Sequence, residues 1–323
     1  MWLFVTVGAY FINAGVYVAD KFLLSKKIHS SIAYAFYVGV WSIFNASLFL
    51  VFPWWLPNLR ELALDLLAGF LFLMTLVFWY KALHQSEASR VVPVVGALVP
   101  IFSFILSFVF LGETLSQQQT IAFIVLVCGG VLISIKKTKV YLYQKVIARF
   151  REAIGQITGK LSARFQPTGR LLVNSVAAAL FFAAYYVLIK YIYLSQPFIG
   201  SFVWSRLGSF LGVLLMLLVP DWRYLILKRQ QGAWKRPKNL LFFLAVRLMA
   251  AAAFIMINWA INLGNVAVVN ALQGVQYLFL FVIIVLISNK YPKMLNEQLG
   301  GGVLLQKLIG TIMVCLGLYL FIS

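Results

Sequence analysis

The chain is poor in every residue type on which chemistry in water depends. Its 323 residues include two histidines, two cysteines and eight acids, and charged residues are 11% of the total. His29 and His84 lie far apart, and no His, Cys and acid cluster has metal-ligand spacing. Cys128 and Cys315 each fall inside an apolar run, where a buried structural thiol is the expectation. No pair of side chains has the spacing of an intramembrane protease or a lipid transferase. Gly155 through Gly159-Lys160-Leu161 looks like a phosphate-binding loop, but it is one residue short. Leu161 also stands where a hydroxyl must hold magnesium, so ATP-driven transport has no motif. No enzymatic activity, cofactor or metal is expected.

What the chain has instead is apolar length. Hydrophobic residues make up 63% of it, which excludes a soluble globular domain. They come in runs of about 20, enough for a helix to cross a bilayer. Ten spans are expected, near 2–20, 31–52, 63–84, 88–111, 117–135, 171–193, 197–219, 240–262, 265–288 and 303–322. The first lacks a basic leader region and a small-residue cleavage site, so it is expected to be retained. The sequence therefore predicts an all-α integral membrane protein.

The net charge of +19 is concentrated in loops. Linker 136–170 carries nine basic residues against the single acid Glu152, and 220–239 carries six more. Loops after odd-numbered spans hold nearly all the basic residues; those after even-numbered spans hold Arg60 and Lys190. By the positive-inside rule the basic loops face the cytoplasm and both termini lie outside, in a plasma (inner) membrane. The expected partner of this charge is the anionic lipid leaflet, not nucleic acid. Within the linker, 140–165 has a pattern that fits an amphipathic surface helix or a disordered tether.

The sequence also repeats. Tyr17 and Lys21 return as Tyr186 and Lys190, Gly39 and Pro53 as Gly208 and Pro220, and Ala82 and Val91 as Ala260 and Val269. Gln119, Cys128 and Gly130 return as Gln306, Cys315 and Gly317. Residues 1–135 and 171–323 then form two five-span copies joined by 136–170. An odd number of spans turns the second copy over, giving two inverted five-helix repeats in a ten-helix protein. Such pairs place a site at their interface near mid-bilayer.

In the stretch 82–134, Ala82-Leu83 closes one helix, Pro100 lies within the next, Leu111-Gly112-Glu113 caps it, and a span with Gly129 and Gly130 follows. With these elements the stretch resembles the core of the EamA type of the drug/metabolite transporter superfamily. In the second copy Glu297 stands where Glu113 stood, but Leu-Gly has become Leu295-Asn296. Lys21 and Lys190 resemble a lysine near the end of the first helix of each repeat. The resemblance implies a 5+5 fold carrying small metabolites. It also implies both termini in the cytoplasm, the reverse of the loop-charge assignment.

Polar groups in a bilayer are costly and mark cavities. Asn13, Tyr17 and Asp20/Lys21 share a face of the first span, and Tyr186 and Lys190 do so on the sixth. Tyr80 and His84 match Asn258 and Asn262, and the ninth span carries Asn270, Gln273 and Tyr277 on one side. The fourth has Pro93, Gly96 and Pro100 instead, which predicts a bent helix. Arg206 and Arg247 are inset in spans that hold no acid, which points to an anionic or zwitterionic substrate group. Asn13, Tyr17, Tyr80, His84, Tyr186, Arg206, Arg247, Asn258, Asn262, Asn270, Gln273 and Tyr277 are thus the candidate substrate ligands. Asp20, Lys21, Glu87, Pro93, Pro100, Glu113, Lys190 and Glu297 are the candidates for coupling or gating. The buried amides have an ordinary alternative as interhelical links, and Tyr193 one as a membrane-interface residue.

The expected function is secondary transport of a small metabolite (amino-acid-like, nucleobase-like or another small organic solute) by alternating access, in a monomer or homodimer. A lipid or lipid-linked sugar flippase is the alternative within transport. A non-transporting scaffold, using the Gly208–Gly212 GxxxG-like face to hold a partner, is the alternative outside it.

Overall fold

The computed structural model describes residues 2–26, 30–85, 88–134, 169–227, 237–288 and 301–322. All regular structure among them is helical. In the first half, α1 spans Trp2–Lys26, and α2 (Ser31–Val40) runs on into a 3-10 helix, Trp41–Leu50. Then come α3 (Leu59–Gln85), α4 (Ala88–Leu111) and α5 (Gln117–Ser134). The second half contains α6 (Gly169–Tyr193), α7 (Phe198–Met216) and the short α8 (Pro220–Leu227). It continues with α9 (Pro237–Leu263), α10 (Val266–Ala271), α11 (Gln273–Ser288) and α12 (Gly301–Ile322). Six stretches among the described residues are long and apolar enough to cross a membrane alone, within α1, α2 with its 3-10 extension, α3, α6, α7 and α9. The chain is an all-α, multi-pass membrane protein.

The helix ends follow from local polar chemistry. Asn58 and Glu61 form a reciprocal cap at the start of α3: Glu61 N donates to Asn58 Oδ1 at 2.9 Å, and Asn58 N to Glu61 Oε2 at 2.8 Å. Ser116 and Gln119 do the same for α5. Each box satisfies two amide groups that a helix start leaves open. Gly112, at φ +65°, ends α4 in the left-handed region where glycine is favoured.

The halves interlock. α1 packs along α9 while α3 packs along α6; α4 lies on α6, and α1 on α11. α5 and α12 form a further close pair, in which a Cβ on Gly129 would lie 2.9 Å from Met313 Cβ. Cys128 and Cys315 are exposed beside this seam, so the expectation of buried thiols is corrected. The reason is geometric: the glycines take the helix–helix face and turn the neighbouring cysteines outward. The matched Gln119 and Gln306 also have different roles. Gln119 caps α5, whereas Gln306 Nε2 donates to the Leu132 carbonyl at 2.8 Å.

α4 is one continuous helix through Pro93, Gly96 and Pro100, while the ninth span, expected as one helix, breaks at Leu272 between α10 and α11. The seventh span ends at Met216, and the chain turns into α8. The Gly208–Gly212 face is consumed internally: a Cβ on Gly208 would lie 2.6 Å from the Leu66 carbonyl oxygen, and one on Gly212 2.8 Å from Leu73. The basic linker 136–168 and Glu87 and Glu297 lie outside the described residues.

Candidate functional site

Between the halves lies a cavity of about 200 Å³, walled by helices of both. Of the expected ligands, Asn13, Tyr17, Tyr80, Tyr186, Arg206, Arg247, Asn270 and Gln273 all line it. Asp20, expected in coupling, lines it too.

Arg247 on α9 forms an ion pair with Asp20 on α1. Tyr34 OH donates to the same Asp20 Oδ1 at 2.7 Å, and Tyr80 OH reaches Oδ2 at 3.5 Å. Tyr34 and Phe243 also face the guanidinium with their rings, at 5.7 and 5.4 Å. An arginine without an acid in its own span is therefore neutralised from another helix. The expectation of two uncompensated arginines is corrected to one.

Arg206 has a different surrounding. It is 3% exposed, and its guanidinium lies 4.1 Å from the Phe72 ring centre and 4.5 Å from that of Phe254. Nη2 donates to Tyr185 OH at 3.1 Å, while Nε has no acceptor among the described residues. Tyr185 OH in turn donates to Asn258 Oδ1 at 2.8 Å, and Tyr193 OH does so at 3.2 Å. These bonds tie α6, α7 and α9 together behind the cavity wall. Asn258 thus anchors tyrosines rather than lining the cavity, and Tyr193 is 7% exposed instead of sitting in an interface belt. Hydroxyls and amides so deep must find partners in the protein.

Across the cavity, Asn13 Nδ2 donates to Gln276 Oε1 at 3.0 Å, linking α1 to α11. Asn270 Nδ2 donates to Ser103 Oγ at 2.8 Å, and Tyr10 OH to the Val269 carbonyl at 2.9 Å. These bonds hold the segment before the Leu272 break against α4 and α1.

Glu113 and Lys190 meet away from the cavity. Lys190 Nζ donates to the carbonyls of Ile261, Asn262 and Gly264 at 3.0, 3.0 and 2.9 Å, closing the end of α9. A cation is favoured where helix carbonyls lack partners. Glu113 Oε2 accepts from Val266 N at 3.4 Å, at the start of α10. Burial pushes the Glu113 carboxyl above the ordinary carboxylate range, against the lowering effects of the Lys190 charge and the bonds from Val266 and Ser107.

The remaining candidates fall elsewhere. His84 is exposed in the last turn of α3, and Asn262 contributes its carbonyl to Lys190; neither lines the cavity. Pro100 is buried in α4 outside the lining. The side chains of Lys21, Pro93 and Tyr277 lie outside the described residues. Sequence reasoning missed Tyr34, Tyr185, Gln276 and the aromatic faces of Phe72 and Phe254. Gln276 had a signal, its i+3 spacing from Gln273. The rings had none, because one aromatic residue in a membrane span reads like another.

Residues 1–135 match the EamA-like transporter family. No functionally curated protein matches the chain. A solved crystal structure shares the fold with a TM-score of 0.65 at 14% identity, over 99% of this chain and 96% of that one.

Proposed function

Since residues 1–135 belong to the EamA-like transporter family, we propose that the chain is a secondary transporter. It carries a small organic solute by alternating access between two inverted five-helix repeats. The observation that carries this reading is the cavity, whose lining comes from both halves and whose polar groups face one another across them. The exchanged packing supports a repeat of two related halves. The first helix of each half lies on the third of the other, α1 on α9 and α6 on α3, as a two-fold relation between the halves would give. The scaffold alternative loses its motif, because Gly208 and Gly212 are already covered by α3.

The loop charges favour cytoplasmic basic loops and outward termini. Single cysteines placed in 136–168, in a chain with Cys128 and Cys315 replaced, should resist an impermeant thiol reagent added outside intact cells. Strong labelling would reverse the orientation.

The test of function is flux. Proteoliposomes holding the full chain should take up members of a metabolite panel faster than empty liposomes do, without scrambling a fluorescent phospholipid. Lipid scrambling without solute uptake would make the protein a flippase, and neither activity would end the transport reading.

A further inference from the structure

We propose that the solute is a planar organic monoanion, a ring-bearing carboxylate or sulfonate, whose charged group docks on Arg206. The proposal rests on the cavity being the transport site and adds to it a chemical class.

Charge sets the sign. Among the described residues, the cavity lining holds two arginines and one acid. That acid, Asp20, is occupied: Arg247 and Tyr34 take one oxygen and Tyr80 approaches the other. Among the described residues Arg206 has no ion pair; its guanidinium meets the neutral Tyr185 hydroxyl and aromatic faces. Such faces attract a cation but do not neutralise it. A buried guanidinium in a membrane protein calls for an anion or water. One uncompensated positive charge matches one negative charge on the ligand.

The same accounting discriminates against zwitterions. An ammonium group in the cavity would need an acid, and the only one lining it among the described residues is already engaged by Arg247. A cation would meet Arg206 with nothing to offset it.

Shape supplies the rest. Trp79, Phe182 and Tyr186 line the cavity as a run of rings, with Trp79 edge-on to Phe182 at 6.2 Å and Phe182 stacked on Tyr186 at 5.8 Å. Phe72 and Phe254 extend aromatic surface up to the guanidinium itself. A flat ring system joined to a carboxylate reaches both features at once, and planar rings stack on such surfaces better than saturated ones do.

Titration calorimetry on the full chain in nanodiscs tests this with four comparisons. 2-Naphthoate should bind at least about tenfold tighter than 2-naphthamide, a difference of roughly 1.4 kcal/mol. It should likewise exceed cyclohexanecarboxylate, and 3-phenylpropanoate should exceed L-phenylalanine. Arg206→Gln should remove the preference for naphthoate over naphthamide. Equal binding of naphthoate and naphthamide overturns the proposal. So does tighter binding of L-phenylalanine, a preference that survives in Arg206→Gln, or no binding by any probe at millimolar concentration. If Arg206→Gln does not fold, the wild-type ratios decide alone. Binding without flux in proteoliposomes would sink the transport reading and spare this one. Flux that ignores substrate charge would do the reverse.

Discussion

Asp20 and Arg247, 227 positions apart in sequence, form an ion pair among the described residues that joins α1 to α9 beside the cavity. The pair decides what the site can recognise, because it removes one cation and the only lining acid among the described residues from the account and leaves Arg206. It is also a structural commitment. Removing one partner strands the other in a medium that solvates it poorly, which costs about 3–5 kcal/mol in buried pairs.

Asp20→Asn is therefore expected to lower the thermal midpoint of the purified protein sharply, and Arg247→Gln similarly. The double variant Asp20→Asn/Arg247→Gln should recover much of the loss, since both charges leave together. Thermal unfolding of the four proteins forms a double-mutant cycle. Additive losses would mean that the two side chains do not depend on each other.

Lys190 is expected to hold the α9–α10 junction rather than serve in coupling. Its ammonium binds three carbonyls at the end of α9, and hydrogen bonds to a charged group contribute about 1.5–3 kcal/mol each at most. Lys190→Met should destabilise the protein by about 2 kcal/mol on that scale and speed amide hydrogen exchange at 264–268. Lys190→Arg should restore part of the protection. Unchanged exchange in Lys190→Met would show that the junction holds without it.

Much of the fold was legible because bilayer thickness constrains the sequence directly. An apolar run must reach a minimum length, and capping boxes such as Asn58–Glu61 and Ser116–Gln119 mark where helices start. Polar residues that face a cavity stand out for the same reason, and Asn13, Tyr17, Arg206 and Asn270 all line it. Sequence could not tell which polar groups satisfy one another across helices. Tyr186 lines the cavity while its neighbour Tyr185 binds Arg206, and no periodicity separates the two in advance. The break at Leu272 was hidden as well: no proline stands there, and bonds from Asn270 and Tyr10 tie the preceding segment to α4 and α1. Pro93 and Pro100, which do signal disruption, sit inside one continuous helix.

Glu113 gives a pH dependence whose sign is fixed. Burial holds its carboxyl above the ordinary value of 4.5. The folded protein then binds this proton more tightly than the unfolded chain, so the group favours folding at low pH. That contribution declines as pH rises from the unfolded value through the folded one. Thermal midpoints of the wild type should fall relative to Glu113→Gln as pH increases above 4.5. Parallel pH profiles for the two proteins would exclude the effect.

The last expectation concerns how the two sides of the cavity close. In the repeat register that pairs Ala82 with Ala260, Gly69 on α3 corresponds to Arg247 on α9; in the register that pairs Tyr17 with Tyr186, Gly39 on α2 corresponds to Gly208 on α7. On one side Gly69 lets α3 lie directly on the α7 backbone: an added Cβ would stand 2.7 Å from the Gly208 carbonyl carbon, and Ser209 Oγ donates to the Gly69 carbonyl at 2.8 Å. On the other side arginine replaces that glycine, so α2 and α9 are bridged by Tyr34 and Arg247 through side chains. The first seam is closed by small residues, the second by a charged link that can part. Gly69→Leu should wedge the first seam open at a cost of about 1–3 kcal/mol, the range for overpacking. It should also expose Ser209, which is 1% exposed in the closed seam. Ser209→Cys, in a background lacking Cys128 and Cys315, should react slowly with a thiol reagent when Gly69 is present and much faster with Gly69→Leu. Equal reaction rates would mean that α3 and α7 separate freely, and that glycine at position 69 does not hold this side shut.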